Sequence, residues 1–543
     1  MIKKYVTDLK TEFKGYDLKK FSQDLMSGLT VAAVALPLAL AFGVSSGADA
    51  AAGLITAIVA GFFIGFLGGA SYQISGPTGA MTAILLALSA TYGLQGVFFA
   101  GLLSGALLIV AAIFKIGKLV SYIPSPVITG FTSGIAVIIA LGQVDNFFGT
   151  TSEGKNAVEK LISYGRLGFH PDMNALLFGA MVVIIMIVYP KKLNSKFPSS
   201  LASIIIALIV QLIFKFDVAE VGNIPKTLLL ENRLSLKSID YKEIKNFISP
   251  AVSIAALGMI ESLLCGASAG KMKNEKIDAQ RELVAQGIGN MLIPFFGGVP
   301  ATAAIARTSV AIKSGGNTRL VSIVHSLTLI ASMFLLGPVM SKIPLAALAG
   351  VLMVTAWRMN DWSAIKNMTS HRLKVSLLQF FITMAATVVF DLTKAILIGV
   401  VLSMLMFVLK SCELKIDISD VDTNRLKGQN FKTSFDTTKL VYLAGPLFFG
   451  TQEKLTAVLP QLEDSASVIF SMRGVPMIDD SAIAELESIV KMFSQKNISV
   501  LFSGVQPRVK STLERAGFID KVGEDSFYWD AVCALAYIDE QCA

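Results

Sequence analysis

Between Met26 and Lys410 the chain is a succession of apolar runs separated by short polar breaks, and this alternation limits it to one broad architecture. Fourteen runs can be drawn, near 26–44, 51–69, 77–90, 94–114, 123–144, 173–189, 199–215, 249–269, 281–296, 300–313, 320–341, 344–357, 375–391 and 393–409. A helix needs about 20 residues to cross a ~30 Å hydrocarbon core, and most of these runs approach that length. Unpaired backbone N–H and C=O groups are too costly in that core, so each run has to be helical. Only 16% of the 543 residues are charged, against about 25% in a soluble domain. A soluble enzyme and a disordered scaffold are both excluded. The four cysteines show no CxxC spacing and there are three histidines, so no metal centre or other cofactor is expected.

An even number of spans returns both ends to one side. Loops on the N-terminal side hold Lys115 and Lys118, then Lys191, Lys192 and Lys196, then Lys271, Lys273, Lys276 and Arg281. Later ones hold Lys313, Arg319, Arg358, Lys366, Arg372 and Lys374, whereas the opposite loops are nearly uncharged apart from 145–172 and 216–248. The positive-inside rule therefore predicts cytoplasmic termini and a multi-pass protein of the cell membrane. It also accounts for the net charge of +8 without nucleic acid. Residues 1–25 lack an apolar core of signal-peptide length and read as an amphipathic cytoplasmic lead-in.

Two segments break in the same way. Residues 71–90 (SYQISGPTGAMTAILLALSA) and 297–313 (GGVPATAAIARTSVAIK) each pass from a polar stretch rich in Gly, Pro, Thr and Ala into a short apolar helix. Roughly 14 helical residues span about 21 Å, too little to cross the core. Each is read as an extended stretch followed by a half-helix, with Pro77 and Pro300 at the first helical positions, where the missing N–H costs nothing. They stand third in the first seven runs and third in the second seven, which suggests an inverted repeat of seven plus seven with a binding site between the half-helix N-termini. Such N-termini carry partial positive charge and free N–H groups, a setting suited to an anion.

Intramembrane charges sharpen the expectation. Glu261 is the sole charge between Pro250 and Gly270, and a carboxylate there costs roughly 3 kcal/mol unless it faces a cavity or a partner. It is a candidate proton-coupling group. Arg307, with Ala303 and Ala304 read as sharing its helix face, would supply fixed positive charge beside small residues that admit an ion; a structural Glu261–Arg307 ion pair is the alternative. Thr78, Gly79 and Thr302 lie at the half-helix starts, where the hydroxyls could bind or cap. The Ala32–Phe42 stretch, broken by Pro37, would form an uncharged wall. Asp391 and Lys394 read as a turn, and His325 as a packed helix residue.

After Lys410 charges become frequent. Residues 411–430 read as a linker and 431–543 as a separate α/β domain, with strands in 440–450, 466–476 and 498–504 and helices in 451–463, 480–495 and 506–516. Ser481 would start a helix, with capping as its plain role and phosphorylation as the regulatory one. No catalytic constellation is present, and no enzyme activity is expected.

The chain resembles the sulfate permease (SulP) family, whose animal branch is solute carrier family 26. The resemblance rests on Pro37 with its LALAFG run, Gly76-Pro77-Thr78-Gly79, Ile260-Glu261-Ser262, and Ala304 to Thr308 with Ser314-Gly315-Gly316. The tail resembles a STAS domain. The resemblance implies fourteen segments forming core and gate domains, an elevator-type transporter that is usually a dimer, and an anion held between half-helices three and ten. By the same likeness Glu261, Arg307 and Thr78 match the family's acidic, basic and threonine positions. Leu38 after Pro37 is similar to the cyanobacterial sodium-dependent bicarbonate branch, yet Glu261, Cys265 and Ile305 stand where that branch has aspartate and two threonines around sodium. Proton coupling is therefore expected rather than sodium. Sulfate is the first expectation, with bicarbonate and small dicarboxylates close behind. A passive channel or an exchanger of the same fold is the alternative; a nucleobase carrier fits less well, because of Arg307 and the STAS tail. The tail could also receive a regulatory protein.

Overall fold

The computed structural model describes all residues except 1, 155–156, 191–192, 194–196, 236–243, 391, 423–430 and 543; Lys191, Lys192, Lys196 and Asp391 thus lie outside the described residues. The chain forms two compact units, Met1–Val400 and Val401–Ala543. The division falls within the Leu392–Ser411 helix.

In the first unit every predicted run carries a helix. Among the described residues, six helices are long and apolar enough to cross a membrane by length and composition, and others such as Met173–Val188 and Leu345–Met359 are shorter. The first helix, Leu18–Ser45, begins earlier than the apolar run because Asp17 caps it, accepting from the Lys20 N–H at 2.8 Å. Pro37 sits inside this helix, which continues past it, contrary to the expected break. Runs three and four join as Gly79–Ile113, interrupted at Gly93 (φ 66°), a left-handed conformation that glycine adopts without steric cost. The tenth run contracts to the nine-residue helix Ile305–Lys313.

Small residues let two helices approach closely. A Cβ on Gly53 would lie 2.0 Å from the Ala39 carbonyl oxygen and 2.7 Å from the Gly43 nitrogen. Two backbones in contact leave no flexible atom to yield.

The N-terminal helix, Ile2–Glu12, clasps the ends of later elements. Lys4 pairs with Asp278 at 2.6 Å, Asp8 with Arg281, and Glu12 with Arg319 at 2.8 Å. Tyr5 donates to the Phe66 carbonyl at 2.7 Å and stacks under both Arg281 and Arg319. Lys4, Asp8 and Glu12 recur every fourth residue, which puts all three on one helix face.

The second unit is built on a five-stranded sheet in the order β3-β4-β5-β6-β7, comprising Lys415–Asp420, Thr438–Ala444, Ser467–Gly474, Ser499–Ser503 and Phe527–Tyr528. The first pair is antiparallel and the rest parallel. Alternate residues feed two cores: Val441, Phe470 and Phe502 pack with Leu486 and Phe518, while Leu440, Ile469 and Leu501 pack with Ala534 and Leu535. β3 lies in the stretch read as linker. Its KIDISD pattern is that of a charged edge strand, half-buried at Ile416 and Ile418, so it reads as polar chain.

Candidate functional site

Two short strands cross in the middle of the first unit. β1, Ser75–Gly76, pairs antiparallel with β2, Thr302–Ala303, joining Ser75 to Ala303 and Gly76 to Thr302. The Ala304 N–H adds a bond to the Ile74 carbonyl at 2.9 Å. Extended backbone at membrane depth must find partners within the protein. Polar side chains from neighbouring helices supply them. Thr56 Oγ1 accepts from the Val299 N–H (2.8 Å) and bonds the Val299 carbonyl (2.9 Å), while Asn290 takes the Ala301 N–H (2.7 Å) and donates to its carbonyl (2.9 Å). Thr308 Oγ1 accepts from the Ile74 N–H at 3.0 Å, and Gln286 donates to Ser75 Oγ at 2.8 Å. Thr56, Gln286 and Asn290 are not among the residues that the sequence singles out; a polar side chain inside an apolar run is the signal they carry.

From this crossing the two half-helices depart. Thr78 occupies the N-cap of the first and Ala304 that of the second, and neither offers a side-chain cap. Asp17, Asp49, Asp172, Asp278, Asp361 and Asp479 cap other helices, while those beginning at Ser125, Ser199, Leu320, Leu345 and Lys374 also lack a side-chain cap, so what sets the two half-helices apart is their meeting at the strand pair. Pro77 and Pro300 are not at first helical positions: the helices begin at Gly79 and Ile305, because the strand pair holds the preceding residues extended. For the same reason Ala303 belongs to β2 rather than to the Arg307 helix face, and only Ala304 keeps the expected spacing. Thr302 is buried and bonds Ser262 Oγ at 2.8 Å instead of capping.

Glu261 and Arg307 flank the crossing without pairing with each other. Glu261 accepts from Thr78 Oγ1 at 3.0 Å. Arg307, 1% exposed, donates through Nη2 to the Pro77 carbonyl at 2.7 Å, and its Nη1 has no protein partner. Arg307 thus braces the approach to one half-helix from within the other. Gly76 makes room for it: a Cβ there would lie 2.4 Å from Nη1. Cys265, buried, sits 3.4 Å from Thr308 Oγ1.

Gly79 packs against the first helix and the Ser125–Gly142 helix; a Cβ would meet Ile139 at 2.3 Å and Phe42 at 3.1 Å. Leu38 and Phe42 are buried. A cavity of about 420 Å³ runs along the first half-helix from Thr82 to Tyr92, with Ile139, Gln143, Lys160 and Pro250 in its wall. It ends one turn from Gly79. His325 is buried in the Leu320–Met340 helix, its ring beside Gly61. Ser481 lies in the other unit and does not cap: Asp479 accepts from the Ala482 N–H at 2.9 Å, leaving Ser481 exposed at the second helical position.

A helical transmembrane unit with two broken helices meeting at its centre, followed by a STAS domain, defines a membrane transporter class. Residues 21–386 match the sulfate permease family and residues 432–529 the STAS domain, and the chain belongs to that family. It is 34% identical over 532 residues to "Putative sulfate transporter YvdB" of Bacillus subtilis, covering 95% of this chain and 97% of the relative. It is 29% identical to the bicarbonate transporter BicA of a Picosynechococcus species, covering 92% of each. The solved structure of murine solute carrier 26 family member A9 superposes with a TM-score of 0.84 at 16% identity, over 98% of this chain and 93% of that one, a likeness of fold.

Proposed function

We propose that the chain is a secondary active transporter that carries a small oxyanion across the cell membrane by an elevator movement. The observation that carries this reading is the pair of helix N-termini brought together by β1 and β2. Their N–H groups and dipoles form a ready anion seat. Thr78 and Gly79 would contact the anion from one half-helix, Ala303 and Ala304 from the other, with Arg307 adding fixed charge from behind. Sulfate is the first candidate, with bicarbonate or a C4-dicarboxylate next; the relatives named for sulfate and for bicarbonate support compact oxyanions.

Glu261 is assigned the coupling proton. Its hydrogen bond to Thr78 links its ionisation to the same helix start that receives the anion. A negative charge beside an empty seat is tolerable; beside an occupied one it repels, so anion and proton enter together. The 420 Å³ cavity is the access route from the face where Ser45 ends the first helix. Both termini on the cytoplasmic side, a homodimer, and regulation through Ser481 or a protein partner at the STAS domain complete the reading.

Uptake of labelled sulfate, bicarbonate and fumarate into proteoliposomes, with and without an inward proton gradient, tests it. One anion should accumulate, its uptake raised by the gradient in the wild type and not in Glu261→Gln. Gradient-independent flux that is unchanged in that variant would assign a passive channel or an exchanger instead.

A further inference from the structure

Among the described residues, the cavity of about 420 Å³ along the first half-helix has a single charged side chain in its wall, that of Lys160. Lys160 sits on the helix Ala157–Leu167, in the stretch between the helix that ends at Phe148 and the one that starts at Met173. Gly142 and Gln143, where the Ser125–Gly142 helix ends, share the wall with it. So do Val389 and Phe390, where the Lys374–Val389 helix ends. These helix ends mark the mouth of the cavity, and Thr82, one turn from Gly79, marks its inner end.

The lysine is paired, but the pair leaves its ammonium in the cavity wall. Its Nζ lies 3.3 Å from Asp145 Oδ2, and its side chain is 18% exposed. Asp145 is not among the residues that line the cavity, and it does not depend on the lysine. The same Oδ2 accepts from Ser152 Oγ at 2.6 Å, and Oδ1 accepts from the Tyr164 hydroxyl at 2.8 Å. An ammonium has three donors, and this one gives one of them to the carboxylate. Asp145 thus holds the lysine in place from behind and keeps its own partners if the ammonium turns to a ligand. A cation between walls of low dielectric concentrates anions in front of it.

We propose that Lys160 is an outer docking site for the transported oxyanion, which meets this ammonium first and then passes Gln143 and Thr82 to reach the seat between the half-helices. The inference rests on the reading of this cavity as the access route. Attraction to the ammonium scales with the charge of the ligand, so Lys160 also favours divalent over monovalent oxyanions at the entrance.

The test is uptake by intact cells expressing the full-length chain, with labelled sulfate, fumarate and bicarbonate as probes and cells without the chain as the blank. A unit charge about 4 Å away in water favours a monovalent anion about fivefold and a divalent one about 30-fold. For whichever probe is carried, Lys160→Gln should raise the apparent KM by about fivefold (bicarbonate) or about 30-fold (sulfate, fumarate), with the maximal rate within about twofold of wild type. Lys160→Arg should keep the wild-type KM. Lys160→Cys should match the glutamine variant, recover when treated from outside with a trimethylammonium methanethiosulfonate, and worsen with the sulfonate reagent, while treated wild type stays unchanged. An unmoved KM in Lys160→Gln overturns the proposal. So does a loss in Lys160→Cys that the cationic reagent does not restore, or a fall in maximal rate alone, either of which would leave the pair as a fastening of the Ala157–Leu167 helix. Wild-type cells that take up none of the three probes would overturn the transport reading itself, and this proposal with it.

Discussion

Replacing Gly76 by alanine places one methyl group where the site has no space for it. Its carbon would stand 2.4 Å from Arg307 Nη1, 3.1 Å from Cζ and 3.2 Å from Nη2, an overlap of about 1 Å with the nearest nitrogen. An exposed arginine would swing aside. Arg307 is 1% exposed and anchored at 2.7 Å on the Pro77 carbonyl. Displacing it loses a hydrogen bond to a charged group, worth about 1.5–3 kcal/mol. Holding it instead strains the β1–β2 pair, at about 1–3 kcal/mol for overpacking. A net cost of about 2–3 kcal/mol corresponds to roughly 30- to 150-fold. The expected result is a folded, monodisperse protein whose anion uptake in proteoliposomes falls by roughly that range. Arg307→Lys removes the planar fork, so adding Gly76→Ala to it should cost less than about fivefold more, a non-additivity expected of residues in contact. Uptake by Gly76→Ala within about twofold of wild type, or an undiminished effect in the Arg307→Lys background, would refute the brace.

Gly53→Ala should fail to give monodisperse protein on size-exclusion chromatography, because its Cβ meets the Ala39 carbonyl oxygen at 2.0 Å and neither backbone can retreat. Asp479→Ala should loosen the Asp480–Gln495 helix by about 1 kcal/mol, read as faster hydrogen exchange in its first turn, whereas Ser481→Ala should leave that turn unchanged. Burial works against ionisation of Asp278, but the Lys4 ammonium and the Arg281 N–H outweigh it and hold the carboxyl below its ordinary 3.8. A depressed value contributes stability above 3.8 that is lost as pH falls through the lowered value, so proteolysis between the N-terminal helix and Leu18 should quicken only in acid below that point.

Much of the transmembrane architecture was legible because apolar periodicity and length are local properties. So was the pair of half-helices, whose Gly-Pro-Thr and Pro-Ala-Thr stretches stand in corresponding places. Contacts across long separations were not. The Arg307 brace joins residues 230 apart in sequence, and Thr56 satisfies backbone 243 residues away, so no local pattern announces either. The prolines misplaced the helix starts because Pro is favoured at a first helical position, a preference overridden here by the strand pairing. The N-terminal charges suggested an amphipathic lead-in, yet their partners Asp278, Arg281 and Arg319 lie in other loops and helices. At the STAS helix start two acids precede Ser481, and geometry alone decided that Asp479 caps.

The proposed mechanism needs the anion to sit between the N-termini at Gly79 and Ile305. The most direct measurement is an experimental structure of the purified chain with its transported anion bound, or with a heavier analogue located by anomalous scattering. Density is expected within hydrogen-bonding reach of the first-turn N–H groups of both half-helices and of Thr78. Density elsewhere in the transmembrane unit, with both helix starts unliganded under conditions that saturate uptake, would contradict it.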